Sequence, residues 1–142
     1  MSDKKEKKAA KEKEPSQEEL ASKEELAAQE ELRASFAEEA RRRCDVIAAG
    51  LATETTDFET MRAEAHALRG TAAVVGLRRL AELAGLMESD LAEAKTTGVI
   101  RGGRAHQIAD AAKALAEGAV AAAEGKEEPP DVGRSLAQLF SA

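Results

Sequence analysis

Apolar residues recur every three or four positions through the middle of the chain, and this periodicity restricts the fold more than any other property of the sequence. The clearest run is Phe58, Met61, Ala65, Leu68, Ala72 and Val75. Because an α-helix turns once in about 3.6 residues, the spacing places all six on one face of a helix. Thr56 and Glu59 have the spacing of a capping box, which predicts the start of this helix. Gly76 predicts its end.

Three other segments show the same spacing, and short glycine-containing breaks separate the later ones. Their apolar positions are Phe36, Ala40, Cys44, Ile47 and Leu51; then Leu77, Leu80, Ala84, Met87, Leu91 and Ala94; and finally Ala105, Ile108, Ala111, Ala112, Leu115, Ala119 and Ala122. Helices joined by short connections pack as antiparallel neighbours. The sequence therefore predicts an all-α protein, an antiparallel up-down four-helix bundle over residues 32–124.

The composition agrees with this prediction and excludes several classes of protein. Only three residues are aromatic, all of them Phe, whereas strand-rich cores draw on aromatic and β-branched residues. The single Cys44 excludes an internal disulfide and fits a reducing compartment, so we expect a cytoplasmic protein. No stretch of eighteen apolar residues occurs, so we expect no membrane insertion. A net charge of −6 with mixed signs argues against nucleic acid as a partner.

The two ends of the chain differ from the predicted bundle. Residues 1–15 are predicted to form a disordered charged tail, and residues 16–31 a charged helical lead-in to the bundle. Leu20, Leu26 and Leu32 recur every six residues, about 120° apart around a helix, so they form no single apolar stripe. Residues 125–142 are predicted to be a Pro-bounded tail with a short amphipathic segment. That segment either folds back on the bundle or docks to a partner.

The predicted second helix carries a histidine on its outward side. His66 lies about 130° from the centre of the apolar face, and its neighbours there are small: Ala63, Ala67, Gly70 and Ala73. Gly70 costs about 1 kcal/mol of helix propensity relative to Ala, so a compensating role is expected. Removing side-chain atoms beside an imidazole makes room for a bulky group or a partner. Arg69, three residues after His66, is placed to stabilise an anion held on the ring.

An exposed imidazole with a bare approach and a flanking guanidinium suits phosphoryl transfer to and from a histidine nitrogen. The structural explanation, a surface histidine beside a glycine used in helix packing, accounts for the spacing equally well. The spacing alone leaves both explanations open.

The stretch from His66 to Gly76, His-Ala-Leu-Arg-Gly-Thr-Ala-Ala-Val-Val-Gly, resembles the signature of histidine phosphotransfer (HPt) domains. The following Leu77, Leu80, Leu83 and Glu88 are similar to the next helix of that family. The segment Phe36-Ala37-Glu38-Glu39-Ala40 resembles the first helix of the phosphoacceptor domain of chemotaxis-type histidine kinases. Arg69 stands where the family usually has Lys, which keeps the charge but changes its geometry. Thr71 stands where Ser or Ala is common.

The resemblance implies a phosphorelay protein. His66 is then the phosphoacceptor, Arg69 stabilises the phosphate, and Gly70, Ala63, Ala67 and Ala73 give clearance to the phosphoryl group and its partner. A response-regulator receiver domain, a histidine kinase or both are the implied partners. The chain itself needs no cofactor, because Mg²⁺ belongs to the receiver. We expect a monomer.

Two alternatives remain beside a free relay protein. The first alternative is the phosphoacceptor domain of a larger chemotaxis-type kinase. The second is a non-catalytic helical adaptor or inhibitor that binds receiver domains. The sequence shows no Walker-type nucleotide loop, so no ATP-binding kinase domain is predicted.

The remaining reactive side chains fit structural roles. His106 lacks a neighbouring glycine or cation on its helix and is expected at a helix end on the surface. No Glu-x-x-His or His-x₃-His pair joins it or His66, so no metal site is expected. Cys44 is expected in the core, and Arg41, Arg42 and Arg43 on a solvated helix face, with docking of acidic loops as an alternative.

Overall fold

The computed structural model describes residues 16–53 and 57–141, and in these ranges the chain is helical without strands. The five helices are α1 (Gln17–Leu51), α2 (Phe58–Val74), α3 (Arg78–Thr97), α4 (Arg104–Ala123) and α5 (Pro130–Phe140). The all-α prediction is therefore confirmed. The expected disordered tail, residues 1–15, lies outside the described residues.

The chain divides into two compact units, with the boundary between Glu31 and Leu32. In the first unit, the described residues form the beginning of α1, and all of their side chains are exposed. Leu20 and Leu26 keep 46% and 58% of their surface open to solvent, as expected for leucines that do not share a helix face. The second unit contains the rest of α1 and the other four helices.

The core of the second unit draws on every helix and consists mainly of leucine, methionine and alanine. Five of the six predicted inward positions are buried, each at most 4% exposed: Met61, Ala65, Leu68, Ala72 and Val75. The sixth, Phe58, is only partly buried, because it is the first residue of α2. The largest fully buried side chains elsewhere are Phe36, Ile47, Leu83, Met87, Leu91, Ile108, Leu115 and Val132. Burying a side chain of this size contributes about 1.5–3 kcal/mol, so the periodic positions account for most of the driving force.

The two ends of α2 are set by different devices. At its start Asp57 is the cap, and its Oδ1 accepts a hydrogen bond from the Thr60 amide at 3.0 Å. The expected cap, Thr56, lies outside the described residues. At its end Gly76 adopts a φ of +78°, which a side chain would disfavour. This conformation lets the Leu77 amide donate to the Ala72 carbonyl at 2.9 Å, closing a Schellman motif as predicted.

The C-terminal segment is a packed helix. α5 begins at Pro130, contacts α3 and α4, and buries Val132 and Leu139 in the same core. The structure thus has the fold-back arrangement rather than a free docking peptide. Phe140 is 82% exposed, because it follows Leu139 directly and lies on a different side of the helix.

A single arginine attaches the end of α5 to its neighbours. Arg104, at the start of α4, donates from Nε to Asp90 Oδ2 on α3 at 2.8 Å. Its two remaining nitrogens donate to the carbonyl oxygens of Leu139 at 2.6 Å, and of Gln138 and Ser141 at 3.1 Å. These carbonyls belong to the last turn of α5, where helical partners are missing. Arg104 therefore serves as the C-terminal cap of a helix to which it does not belong.

Candidate functional site

His66 lies in the middle of α2 with its side chain pointing away from the core. The imidazole is 58% exposed, whereas Ala65 and Leu68 are fully buried. The outward direction predicted from the helical spacing is therefore confirmed. A rigid helix holds the backbone, and the ring itself is open to molecules from outside.

The neighbours of His66 on α2 leave this side of the helix bare. Ala63, Gly70 and Ala73 are exposed, while Ala67 is partly buried. A methyl group placed on Gly70 would meet no atom within 4 Å. Gly70 is therefore not required for packing between helices, which removes the structural explanation offered for it above.

Glu88, on the adjacent helix α3, contacts the imidazole. Its Oε1 lies 2.9 Å from His66 Nδ1, across 22 residues of sequence. An ionised carboxylate only accepts hydrogen bonds, so the proton of the neutral ring resides on Nδ1 and Nε2 carries the lone pair. Within the described residues no hydrogen bond engages Nε2. The site thus presents one oriented, unprotonated ring nitrogen to solvent.

Two arginines flank the Glu88 carboxylate, one on each side of His66 along α2. Arg69 Nη1 lies 3.4 Å from Oε2, and Arg62 Nη1 lies 3.8 Å from Oε1. Arg69, singled out from the sequence, therefore pairs with Glu88 in this structure. The Glu88 side chain is only 15% exposed, so its charge needs such partners.

The roles of Arg62, Glu59 and Lys95 at the site were not predicted from the sequence, where Glu59 was named only as part of a capping box. Arg62 donates to Glu59 at 2.8 and 2.9 Å, and Lys95 Nζ lies 2.8 Å from the same carboxylate. The hydrogen bond from Arg62, followed by that from Lys95, lowers the pKa of Glu59 to about 2. Spacing could have identified Arg62. It precedes His66 by four residues, about one helical turn, just as Arg69 follows His66 by three.

Gly85 on α3 was also missed. A Cβ atom at this position would lie 3.3 Å from Cδ of Arg69, so the arginine stem crosses α3 where the helix has no side chain. Gly85 lies one turn before Glu88, and the stem of Arg69 therefore leads its guanidinium toward the carboxylate. Only the packing of α2 on α3 brings this glycine to Arg69.

The other candidates lie apart from this network. His106 is exposed near the start of α4, and Cys44 is buried in the core, where burial followed by the nearby Asp45 charge raises the thiol pKa to about 12. A thiol of this kind is not a nucleophile near neutral pH.

The prediction of a solvated face for three consecutive arginines is wrong for one of them. Arg41 and Arg42 are exposed. Arg43 is partly buried and pairs with Glu39 and with Glu64 of α2, each at 2.8 Å. It faces α2 because it lies one residue from Cys44, at the edge of the buried face of α1.

In the described ranges, no group of three or more His, Cys, Asp or Glu side chains is arranged to hold a metal ion. No helix there is long and apolar enough to cross a membrane.

Comparison with known proteins gives one finding. The family model of the Hpt domain matches residues 31–139, most of the chain. Comparisons with curated proteins and with solved structures gave no match. The matched range includes His66, Glu88 and both flanking arginines, together with nearly all of α5. The chain therefore belongs to the Hpt domain family, whose members carry out histidine phosphotransfer in two-component signalling.

Proposed function

We propose that His66 is the phosphoacceptor and that this chain carries a phosphoryl group between two-component partners. The observation that carries the proposal is the 2.9 Å contact between Glu88 Oε1 and His66 Nδ1, which favours the tautomer with an unprotonated Nε2 on an exposed imidazole. Hpt domains interact with receiver domains and kinases. The proposed donor is the phosphorylated aspartate of a receiver domain or a histidine kinase, and the proposed acceptor is the free aspartate of a receiver domain.

The proposed transfer follows from the ring geometry. The Nε2 lone pair attacks phosphorus, the N–P bond forms, and the bond from phosphorus to the donor oxygen breaks, so that a receiver aspartate leaves as a carboxylate. The proton on Nδ1 stays in place. With both nitrogens substituted, the ring carries a formal positive charge, and the Glu88 carboxylate at 2.9 Å offsets it. Reversal of the same step returns the phosphoryl group to an aspartate.

The surroundings of His66 suit the approach of a second protein. Gly70, Ala63 and Ala73 are exposed and small, and Ala67 beside them is partly buried, so a partner surface meets no long side chain there. Arg69 is 51% exposed and is the proposed stabiliser of the phosphoryl charge. Mg²⁺ for the aspartyl-phosphate chemistry would be held by the receiver, because this chain contributes a single carboxylate at the ring.

The proposed scaffold is an antiparallel up-down bundle of α1 to α4 acting as a monomer. Short connections between α2 and α3 and between α3 and α4 support antiparallel neighbours. The apolar faces of these helices are already buried within one chain, so the bundle needs no second copy to cover them.

Transfer of labelled phosphate from a phosphorylated receiver domain, or from a kinase, to the full chain tests the proposal. The variants are His66→Gln and, as a matched control, the exposed His106→Gln. We expect acid-labile, alkali-stable label on the wild type and on His106→Gln, and none on His66→Gln. Receiver binding without labelling of the wild type, across a panel of donors, would instead support the adaptor or inhibitor function.

A further inference from the structure

Glu88 is the central charge of the site, and its two cations are held in different ways. Its carboxylate is 15% exposed, and Oε2 is buried with no hydrogen bond. The only ion-pair partners of this carboxylate, among the residues that the structure describes, are His66, Arg62 and Arg69. Removing one arginine thus leaves the other as its remaining cation.

Arg62 is fixed in place. Its Nε and Nη2 form a two-pronged contact with Glu59, at 2.8 and 2.9 Å. Glu59 in turn pairs with Lys95 of α3 at 2.8 Å, so the clamp spans two helices. Only Nη1 remains for Glu88, at 3.8 Å, and the Arg62 side chain is 27% exposed. A guanidinium held along one edge keeps its orientation, because the planar group cannot turn without breaking both hydrogen bonds.

Arg69 has no such restraint. Its side chain is 51% exposed, and its one ion pair with another described residue is the 3.4 Å approach to Glu88 Oε2. Its stem crosses Gly85, where no side chain blocks a change of direction. Arg69 is therefore free to follow a new anion, whereas Arg62 is not.

We infer that Arg62 is a positioning residue: it is the stationary cation of Glu88, and it keeps that carboxylate neutralised when Arg69 turns to a phosphoryl group on His66. The inference rests on the proposed function. The network contains three cations, Arg62, Arg69 and Lys95, and two carboxylates, Glu59 and Glu88. Without Arg62, the positive ring of phosphorylated His66 would be the one cation left to Glu88 among the described residues, and that ring is also shared with the phosphoryl group. The carboxylate would then repel the phosphoryl group more strongly. Arg62 thus favours the phosphorylated state.

The test measures the equilibrium level of phosphorylated His66 against a phosphorylated receiver domain, using the full chain. Arg62→Gln removes the charge, Arg62→Lys keeps it, and Glu59→Gln loosens the clamp. Arg134→Gln is the matched control, because Arg134 has a similar contact three residues away, with Asp131 at 2.7 Å on α5, far along the sequence from the site.

We expect the ratio of phosphorylated to free His66 to fall about fivefold in Arg62→Gln, less in Glu59→Gln, and to be largely kept in Arg62→Lys and Arg134→Gln. In the double variant Arg62→Gln/Arg69→Gln, the ratio of phosphorylated to free His66 should fall by more than the product of the two single-variant factors. The reason is that both arginines neutralise the same Glu88 carboxylate, and the double variant removes both. A role in folding alone would not produce this coupling.

The possible results distinguish the role of Arg62 from the proposed phosphoacceptor role of His66. A wild-type ratio in Arg62→Gln, with His66 labelled in both, overturns the inference and leaves the proposed function standing. Independent effects of Arg62 and Arg69 also overturn it. Failure of the wild type to become labelled overturns both.

Discussion

Nδ1 of His66 and Oε1 of Glu88 are 2.9 Å apart and join α2 to α3 at an imidazole whose side chain is 58% exposed. The hydrogen bond determines which ring nitrogen holds the proton, and so which one is available as a nucleophile. The same carboxylate is placed to compensate positive charge on a phosphorylated ring. One contact thus serves both the free and the phosphorylated states.

Replacement of Glu88 should slow phosphoryl transfer, and the size of the effect should depend on the substitute. Glu88→Gln still accepts from Nδ1 but loses the charge, whereas Glu88→Leu loses both. A charge-assisted hydrogen bond contributes about 1.5–3 kcal/mol, so we expect a reduction on the order of tenfold for Gln and a larger one for Leu. Rapid-quench transfer kinetics measure both, with the exposed Glu82→Gln as control. Equal rates in all four proteins would contradict this role.

Gly70→Ala should make the protein more stable and a poorer relay. A Cβ atom at Gly70 meets nothing within 4 Å, so the substitution gains helix propensity of about 1 kcal/mol without strain. Chemical denaturation measures the gain. The same variant, and more strongly Gly70→Gln, should transfer phosphate more slowly because a side chain enters the approach to His66. Unchanged transfer in Gly70→Gln would show that the clearance is not needed.

Gly118→Ala should have the opposite effect on stability, although it is also a helical glycine. It is buried on α4, and an added Cβ would lie 2.9 Å from Cδ2 of Leu80 and 3.1 Å from Cγ2 of Val132. Overpacking costs about 1–3 kcal/mol, which exceeds the gain in propensity. Unfolding free energies of the two alanine variants, measured side by side, should therefore move in opposite directions.

Loss of Arg104 should loosen α5 before it affects the site. Arg104→Met leaves Asp90, 13% exposed, without its cation and frees carbonyls in the last turn of α5, a cost of about 2–4 kcal/mol. Hydrogen exchange should rise in residues 130–140 first. Arg134→Gln, 66% exposed, should change stability by less than about 0.5 kcal/mol. Equal exchange in the two variants would refute the capping role.

The Glu59 clamp should give a pH-dependent contribution to stability. Arg62 and Lys95 lower the Glu59 pKa from 4.5 to about 2. A folded-state pKa below the unfolded one stabilises the protein fully above pH 4.5, and this contribution disappears as the pH falls toward 2. The difference in melting temperature between wild type and Glu59→Gln should therefore vanish at low pH. Glu38→Gln, exposed on α1, is the control. A difference as large at pH 2 as at pH 7 would argue against the clamp.

The helical periodicity predicted the buried positions of α2 except Phe58, which is only partly buried, and it predicted the outward direction of His66. Both depend only on the geometry of a single helix, which sequence spacing reveals directly. The partners of Arg69 depend on how α2 packs against α3, where residues such as His66 and Glu88 meet although they are 22 positions apart in the sequence. The spacing of residues within one helix does not reveal such contacts. For the same reason, neither the contact of Gly85 with Arg69 nor the ion pair of Arg43 with Glu64 was predicted from the sequence.

The start of α2 shows a subtler limit. The sequence offers two adjacent N-cap positions, each with a partner three residues later: Thr56 with Glu59, and Asp57 with Thr60. The structure uses Asp57, whose carboxylate accepts from both the amide and the hydroxyl of Thr60. An ionised oxygen at a helix start also interacts favourably with the helix dipole, which a threonine hydroxyl cannot match.

Arg104 closes the last turn of α5 by binding main-chain oxygens rather than side chains. Every amino acid supplies the same carbonyl, so the identities of Gln138 and Ser141 matter little to this closure. The number of residues between Pro130 and that turn matters a great deal, since an insertion or deletion would rotate the carbonyls away from the guanidinium. This closure thus tolerates substitution at Gln138 and Ser141 but is strict about the length of α5.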